Sequence, residues 1–180
     1  MTIVITLPTF FDGEATQIVR LLHSHVDLIH IRKPNASLEE TERLIMAVPP
    51  QWRNRLVLHD HHCLAMKHHL HGIHLNSRNP TAPEHFTLSV SKSCHSLEEV
   101  REQKDMFDYV SLSPIFDSIS KQGYHAAFTK EQLLQARAQG IIDAKVMALG
   151  GVTFSRIAEV EAMGFGGAMI LGDAWRDLLP

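Results

Sequence analysis

Short runs of apolar, often β-branched residues recur along the whole chain, separated by longer amphipathic stretches. They fall at Ile3–Leu7, Asp27–Ile31, Arg55–His59, Gly72–Leu75 and Thr87–Ser91, then at Tyr109–Ile115, Lys145–Leu149 and Gly167–Leu171. Most are apolar at nearly every position rather than at alternate ones. Alternation marks a half-exposed strand, whereas a continuous apolar run suits a strand covered on both faces, as in a parallel sheet. The stretches between carry helix-start chemistry. Ser37-Leu38-Glu39-Glu40 and Ser96-Leu97-Glu98-Glu99 repeat one capping box, and Thr129 with Gln132 offers a third. Gly140 and Gly164 stand where helices should end. The pattern predicts eight strands, each followed by a helix.

Eight such units in 180 residues leave about 22 residues apiece, which is tight for a closed barrel that usually takes ~200 or more. The choice lies between a compact (β/α)8 TIM barrel and an open doubly wound sheet, and the count of eight favours the barrel. No linker or low-complexity segment interrupts the series, so residues 1–180 read as a single barrel domain.

Composition removes other classes. With 17 basic and 20 acidic side chains the formal charge is −3, which gives no electrostatic footprint for nucleic acid or an anionic membrane. No apolar run reaches the ~20 residues of a membrane helix. The apolar start, Met1 to Phe11, lacks the basic lead-in and cleavage site of a signal peptide. Two cysteines, Cys63 and Cys94, fit a reducing compartment, so a cytoplasmic location is expected.

In a parallel barrel the working residues lie where strands end and in the loops that follow. Those positions hold His30, Arg32 and Lys33, then His59 and Asp60, then Asn76 and Ser77. Ser91, Lys92, Ser93 and His95 come next, followed by Ser118, Ser120 and Lys121. Cationic and polar groups collected on one rim suggest a small anionic ligand. The strongest local signal is Gly150-Gly151 after the seventh strand, paired with Leu171-Gly172 after the eighth. Loops at these two places commonly bind phosphate through backbone N–H groups, and glycine lets the main chain come close. A tight turn would explain Gly150-Gly151 alone; the second glycine loop tips the reading toward phosphate.

Taken together these motifs resemble the thiamin phosphate synthase / TenI superfamily of compact (β/α)8 barrels, over nearly the whole chain. Leu28-Ile29-His30-Ile31-Arg32 is similar to the family's "VQLRxK" strand, Leu56–Asp60 to "LIIND", and Gly72–Leu75 to "GVHLG". Lys92–Ser96 resembles "GVSxHS", Tyr109–Lys121 resembles "YVGFGPVFPTxTK", and Ala148–Val152 resembles "AIGGI". Where the synthases grip the pyrophosphate of an aminopyrimidine substrate with Gln, Arg and Lys, this chain has His30, Arg32 and Pro34. Of the two aspartates that bring Mg²⁺ there, Asp60 matches one, while Asn79 stands at the other and His59 replaces the preceding Asn. The thiazole-phosphate side is better kept: Ser118, Ser120, Lys121 and both glycine loops.

The resemblance therefore implies, first, a TenI-like thiazole tautomerase that binds a phosphorylated thiazole, needs no cofactor and shifts a proton by imidazole. The usual TenI histidine falls on Pro114. The proton would pass to another rim histidine, His95, His30, His59 or His125 in that order, while Lys121, with Ser118 and Ser120, clamps the strand-six loop over the ligand. The alternative is thiamin phosphate synthase proper, with Mg²⁺ on Asp60 and a clamp rebuilt from Arg32 and Lys33. A non-catalytic binder of thiamin-related phosphates is a third reading. Barrels of this family often assemble as homo-oligomers; the sequence marks no interface.

Thirteen histidines are an excess. His61, His62, His68, His69 and His71 show no metal-ligand spacing and read best as part of a solvated outer helix, with a zinc site involving Asp60 or Cys63 as the alternative. His74 points either into the barrel or toward the helices. Cys94 and His95 are adjacent but lack a third, orienting group.

Overall fold

A computed structural model of the chain describes residues 1–117 and 126–178. The strands are β1 (Thr2–Ile5), β2 (Leu28–Ile31), β3 (Leu56–Leu58), β4 (Gly72–Leu75), β5 (Ser89–Cys94), β6 (Tyr109–Leu112), β7 (Val146–Leu149) and β8 (Gly167–Ile170). They follow one another in chain order around a closed barrel, and their ladders are parallel. The architecture is a compact (β/α)8 barrel and not an open sheet. All eight predicted strands occur within three residues of their expected ends.

The helices are α1 (Glu14–His23), α2 (Leu38–Ala47), α3 (Pro50–Arg53), α4 (Cys63–Lys67), α5 (Leu97–Gln103), α6 (Lys130–Ala138) and α7 (Ile157–Ala162). Two expected capping boxes form in full. Ser37 Oγ accepts from the Glu40 amide while the Glu40 carboxylate accepts from the Ser37 amide, and Thr129 pairs with Gln132 in the same way. The third departs: Ser96 Oγ caps the Glu99 amide, but the Glu99 carboxylate reaches past Ser96 to the His95 amide at 2.6 Å. Strict strand–helix alternation also breaks. The β4–β5 connection holds no helix, because Pro80 and Pro83 deny it amide donors and helical neighbours. A one-turn helix appears instead at Pro50, in the first turn where a missing N–H costs nothing. Among the described residues no helix is long and apolar enough to cross a membrane.

Contacts group the chain into two compact halves, Ile3–Val90 and the residues from Ser91 onward with Met1–Thr2. In the first half, side chains at paired register positions share a face. His30, Val57 and Gly72 form one such row, and Ile31, Leu58 and Ile73 form a row on the opposite face. α1 buries Ile18 and Leu22. In the second half β5 to β8 bury Val110, Leu112, Met147, Ala148 and Met169, with Val100, Leu133 and Val160 from α5, α6 and α7. Lys104 anchors the end of α6 by donating to the Gly140 carbonyl and pairing with Asp143.

Candidate active site

β2 and β4 place His30 and His74 on one face, and His59, directly after β3, joins them there. His59 lies two residues beyond Val57, the partner of His30, and one beyond Leu58, the partner of Ile73, so it arrives beside His74. His30 Nδ1 lies 2.9 Å from His59 Nε2, and the His59 and His74 rings stack with centroids 4.5 Å apart. All three are buried. Burial holds His30 and His59 well below the ordinary imidazole range, aided by the proximity of His74. Burial, with His62 nearby, brings His74 down to about 3. His30 and His59 were expected on an accessible rim. They are instead packed ring to ring as neutral imidazoles, because the register offset carries both onto the face that His74 occupies.

Beyond β3 and β4 lies a polar turn. Asp60 Oδ1 accepts from Asn79 Nδ2 at 2.9 Å and from the Arg78 guanidinium at 3.1 Å. Asn76 and Asn79 both donate to the His59 carbonyl, at 3.0 and 2.9 Å. Asn76 Oδ1 takes the Arg78 and Asn79 amides, which closes the loop on itself. Arg32, half-buried, has its pKa lowered by burial and by Arg78, with Asp60 opposing. Arg78 thus pairs with Asp60 in this turn, and Arg32, just past β2, lies near enough to feel both. Sequence reasoning misses Arg78, which belongs to no motif. Its one signal is that Asp60 has lost its acidic companion and needs a positive partner.

Mg²⁺ asks for several hard oxygen ligands. Asp60 is the one carboxylate at this turn, and its Oδ1 already faces an amide nitrogen and a guanidinium. The residues present do not fit a protein-held Mg²⁺.

Lys33 is committed elsewhere. Its ammonium donates to Glu14 Oε1 at 2.6 Å, to Glu14 Oε2 at 2.9 Å and to the Leu7 and Thr9 carbonyls. It pins the β1–α1 loop and has no donor left for a ligand.

In the second half, Gly150 and Gly151 both have left-handed backbones, φ 92° and 64°. A Cβ on Gly150 would lie 2.8 Å from Pro114, and one on Gly151 would lie 2.3 Å from the Asp117 carbonyl. The loop after β6 lies directly over this turn: the Ile115 and Phe116 amides donate to the Leu149 and Gly150 carbonyls at 2.9 and 3.0 Å. Leu171 and Gly172 follow β8, and Asp173 caps the Phe154 amide at 2.9 Å. On β5 and β6, Ser93 pairs in register with Ser111, whose buried hydroxyl has no hydrogen-bond partner. His95 is exposed, and its Nδ1 lies 3.2 Å from Ser113 Oγ. Ser118, Ser120, Lys121 and His125 lie outside the described residues.

The outer histidines divide. His61 Nε2 bonds the Ala36 carbonyl and His68 Nε2 bonds Glu42, whereas His62 Nε2 is buried with no hydrogen-bond partner. Cys94 is buried, and burial with Glu99 nearby raises its thiol to about 11, which removes a Cys94/His95 nucleophile at neutral pH.

Residues 3–172 match the family model described as thiamine monophosphate synthase. The thiamine phosphate pyrophosphorylase of Bacteroides thetaiotaomicron superposes with a TM-score of 0.88 at 43% identity, covering 97% of this chain and 84% of that one. A thiamine phosphate pyrophosphorylase from Pyrococcus furiosus gives 0.72 at 20% identity over 98% and 94%, a likeness of fold alone. The thiamine-phosphate synthase of Photorhabdus laumondii is 27% identical over 169 residues, 86% of this chain and 75% of its own. A match across nearly every strand and loop described above places the chain in the thiamine monophosphate synthase family.

Proposed function

We propose that the protein is a transferase of the thiamine-phosphate synthase kind, joining an aminopyrimidine pyrophosphate to a thiazole phosphate with release of pyrophosphate. In that reaction a bond to the pyrimidine-bearing carbon forms as the carbon–oxygen bond to pyrophosphate breaks, and the electron pair leaves with the pyrophosphate. The observation that carries the reading is the pair of guanidiniums, Arg32 and Arg78, around Asp60. Planar guanidinium donors suit phosphate oxygens and stay charged at all working pH values. They stabilise the charge gathering on the leaving group where the resemblance would place Mg²⁺. Gly150, Gly151, Leu171 and Gly172 take the thiazole phosphate through main-chain amides, and Ser93 binds the same substrate. Lys33 serves by holding the β1–α1 loop. The test is to supply both substrates and look for thiamine phosphate; none formed would reject the reading.

A second reading, thiazole tautomerisation, draws on one observation: His95 is exposed at the end of β5, with its Nδ1 3.2 Å from Ser113 Oγ. It expects aromatisation of a thiazole carboxylate phosphate supplied alone, abolished by H95N.

A further inference from the structure

We propose that His30, His59 and His74 form a binding site for a borderline divalent transition ion of the zinc class. The inference stands on side-chain geometry and does not depend on the reaction proposed above. One ring nitrogen from each residue falls within 4.8 Å of the other two, and the His30 Nδ1 to His59 Nε2 separation is 2.9 Å. Two imidazole nitrogens on one tetrahedral zinc, each about 2.0–2.1 Å from the metal, stand roughly 3.3 Å apart. The pair is therefore near ligand spacing already, and the His74 nitrogen lies within the same 4.8 Å. His30 and His74 sit on β2 and β4, and His59 follows directly on the last residue of β3, so the ladder fixes the base of the triangle.

The donor set selects the metal. Three neutral imidazoles suit zinc, nickel or copper and offer nothing to Mg²⁺ or Ca²⁺, which want oxygens. Outer contacts hold the backbone behind them: Asn76 donates to the His59 and His74 carbonyls and Asn79 to that of His59. The fourth position is left to a water.

The test uses the full chain stripped of metal by a chelator, titrated with Co²⁺ as an optical probe and then with Zn²⁺. Asparagine mimics an imidazole Nδ1 and glutamine an Nε2, so H30N and H59Q preserve the hydrogen bond while removing a ligand. The expected result is one equivalent of Co²⁺ giving tetrahedral-type visible bands, displaced by one equivalent of Zn²⁺. Affinity should fall at least a hundredfold in H30N and H59Q and stay unchanged in H68Q, whose ring bonds Glu42 instead. No uptake overturns the proposal, and so does uptake that survives H30N and H59Q or disappears in H68Q. Should those variants not fold, zinc-edge X-ray absorption on the unaltered chain decides. Three imidazole nitrogens at about 2.0 Å support the site, and an oxygen-dominated shell overturns it.

Discussion

Lys33 Nζ lies 2.6 Å from Glu14 Oε1 with both side chains almost wholly buried, 1% and 2% exposed. Burial alone raises the Glu14 carboxyl and lowers the Lys33 ammonium. The pair stays together because each supplies the other's missing solvation and two loop carbonyls complete the ammonium's shell. Removing one partner leaves an uncompensated charge. K33M should lose about 3–5 kcal/mol of stability in urea denaturation, and the E14Q/K33M pair should lose much less than the sum of the single changes. Additive losses would show that the two do not act as a unit.

Arg32 and Arg78 should act on the pyrophosphate-bearing substrate alone. A hydrogen bond to a charged group contributes about 1.5–3 kcal/mol, so R32A or R78A should weaken its binding roughly tenfold to a hundredfold. The KM for the thiazole phosphate should stay within about twofold. Equal losses on both substrates in steady-state kinetics would argue for general unfolding of the turn.

Gly151 and Gly140 make a contrasting pair, since both have positive φ. A Cβ on Gly140 meets nothing within 4 Å, whereas one on Gly151 strikes the Asp117 carbonyl. G140A should cost about 1 kcal/mol from backbone strain alone. G151A should cost more and should also weaken phosphate binding, as read by thermal melting with and without inorganic phosphate. Equal costs would mean that the β6 loop yields freely.

The two thiols should differ in reactivity. Cys63 is exposed and Cys94 buried, and the Cys94 thiol lies at about 11. At pH 8 its thiolate fraction is then on the order of 10⁻³, and it rises tenfold for each pH unit up to that value. Alkylation of the folded protein should label one cysteine per chain, identified by peptide mapping as Cys63. Rapid labelling of Cys94 would contradict its burial.

The barrel could be read from the sequence because its signals are local. LIHI, GIHL and VMAL are short, largely apolar runs, and Ser37 and Thr129 announce their helices with glutamate or glutamine three positions on. The site was less legible because its contacts are not local. A run such as GIHL alternates faces but does not say which face His74 takes. The histidine cluster arises from a two-residue register offset between β2 and β3, which no single strand encodes. Lys33 reads as a rim cation until Glu14, nineteen positions earlier, takes its charge. Arg78 sits in a proline-broken loop where neither periodicity nor motif marks it.

The account stands most directly on phosphorus NMR of the protein mixed with an aminopyrimidine pyrophosphate and a thiazole phosphate in buffer containing a divalent cation. Free pyrophosphate and thiamine phosphate should grow in equal amounts, and the rate should collapse in R32A/R78A. Unchanged spectra with both substrates bound, or a thiazole that aromatises while the pyrophosphate stays intact, would contradict it.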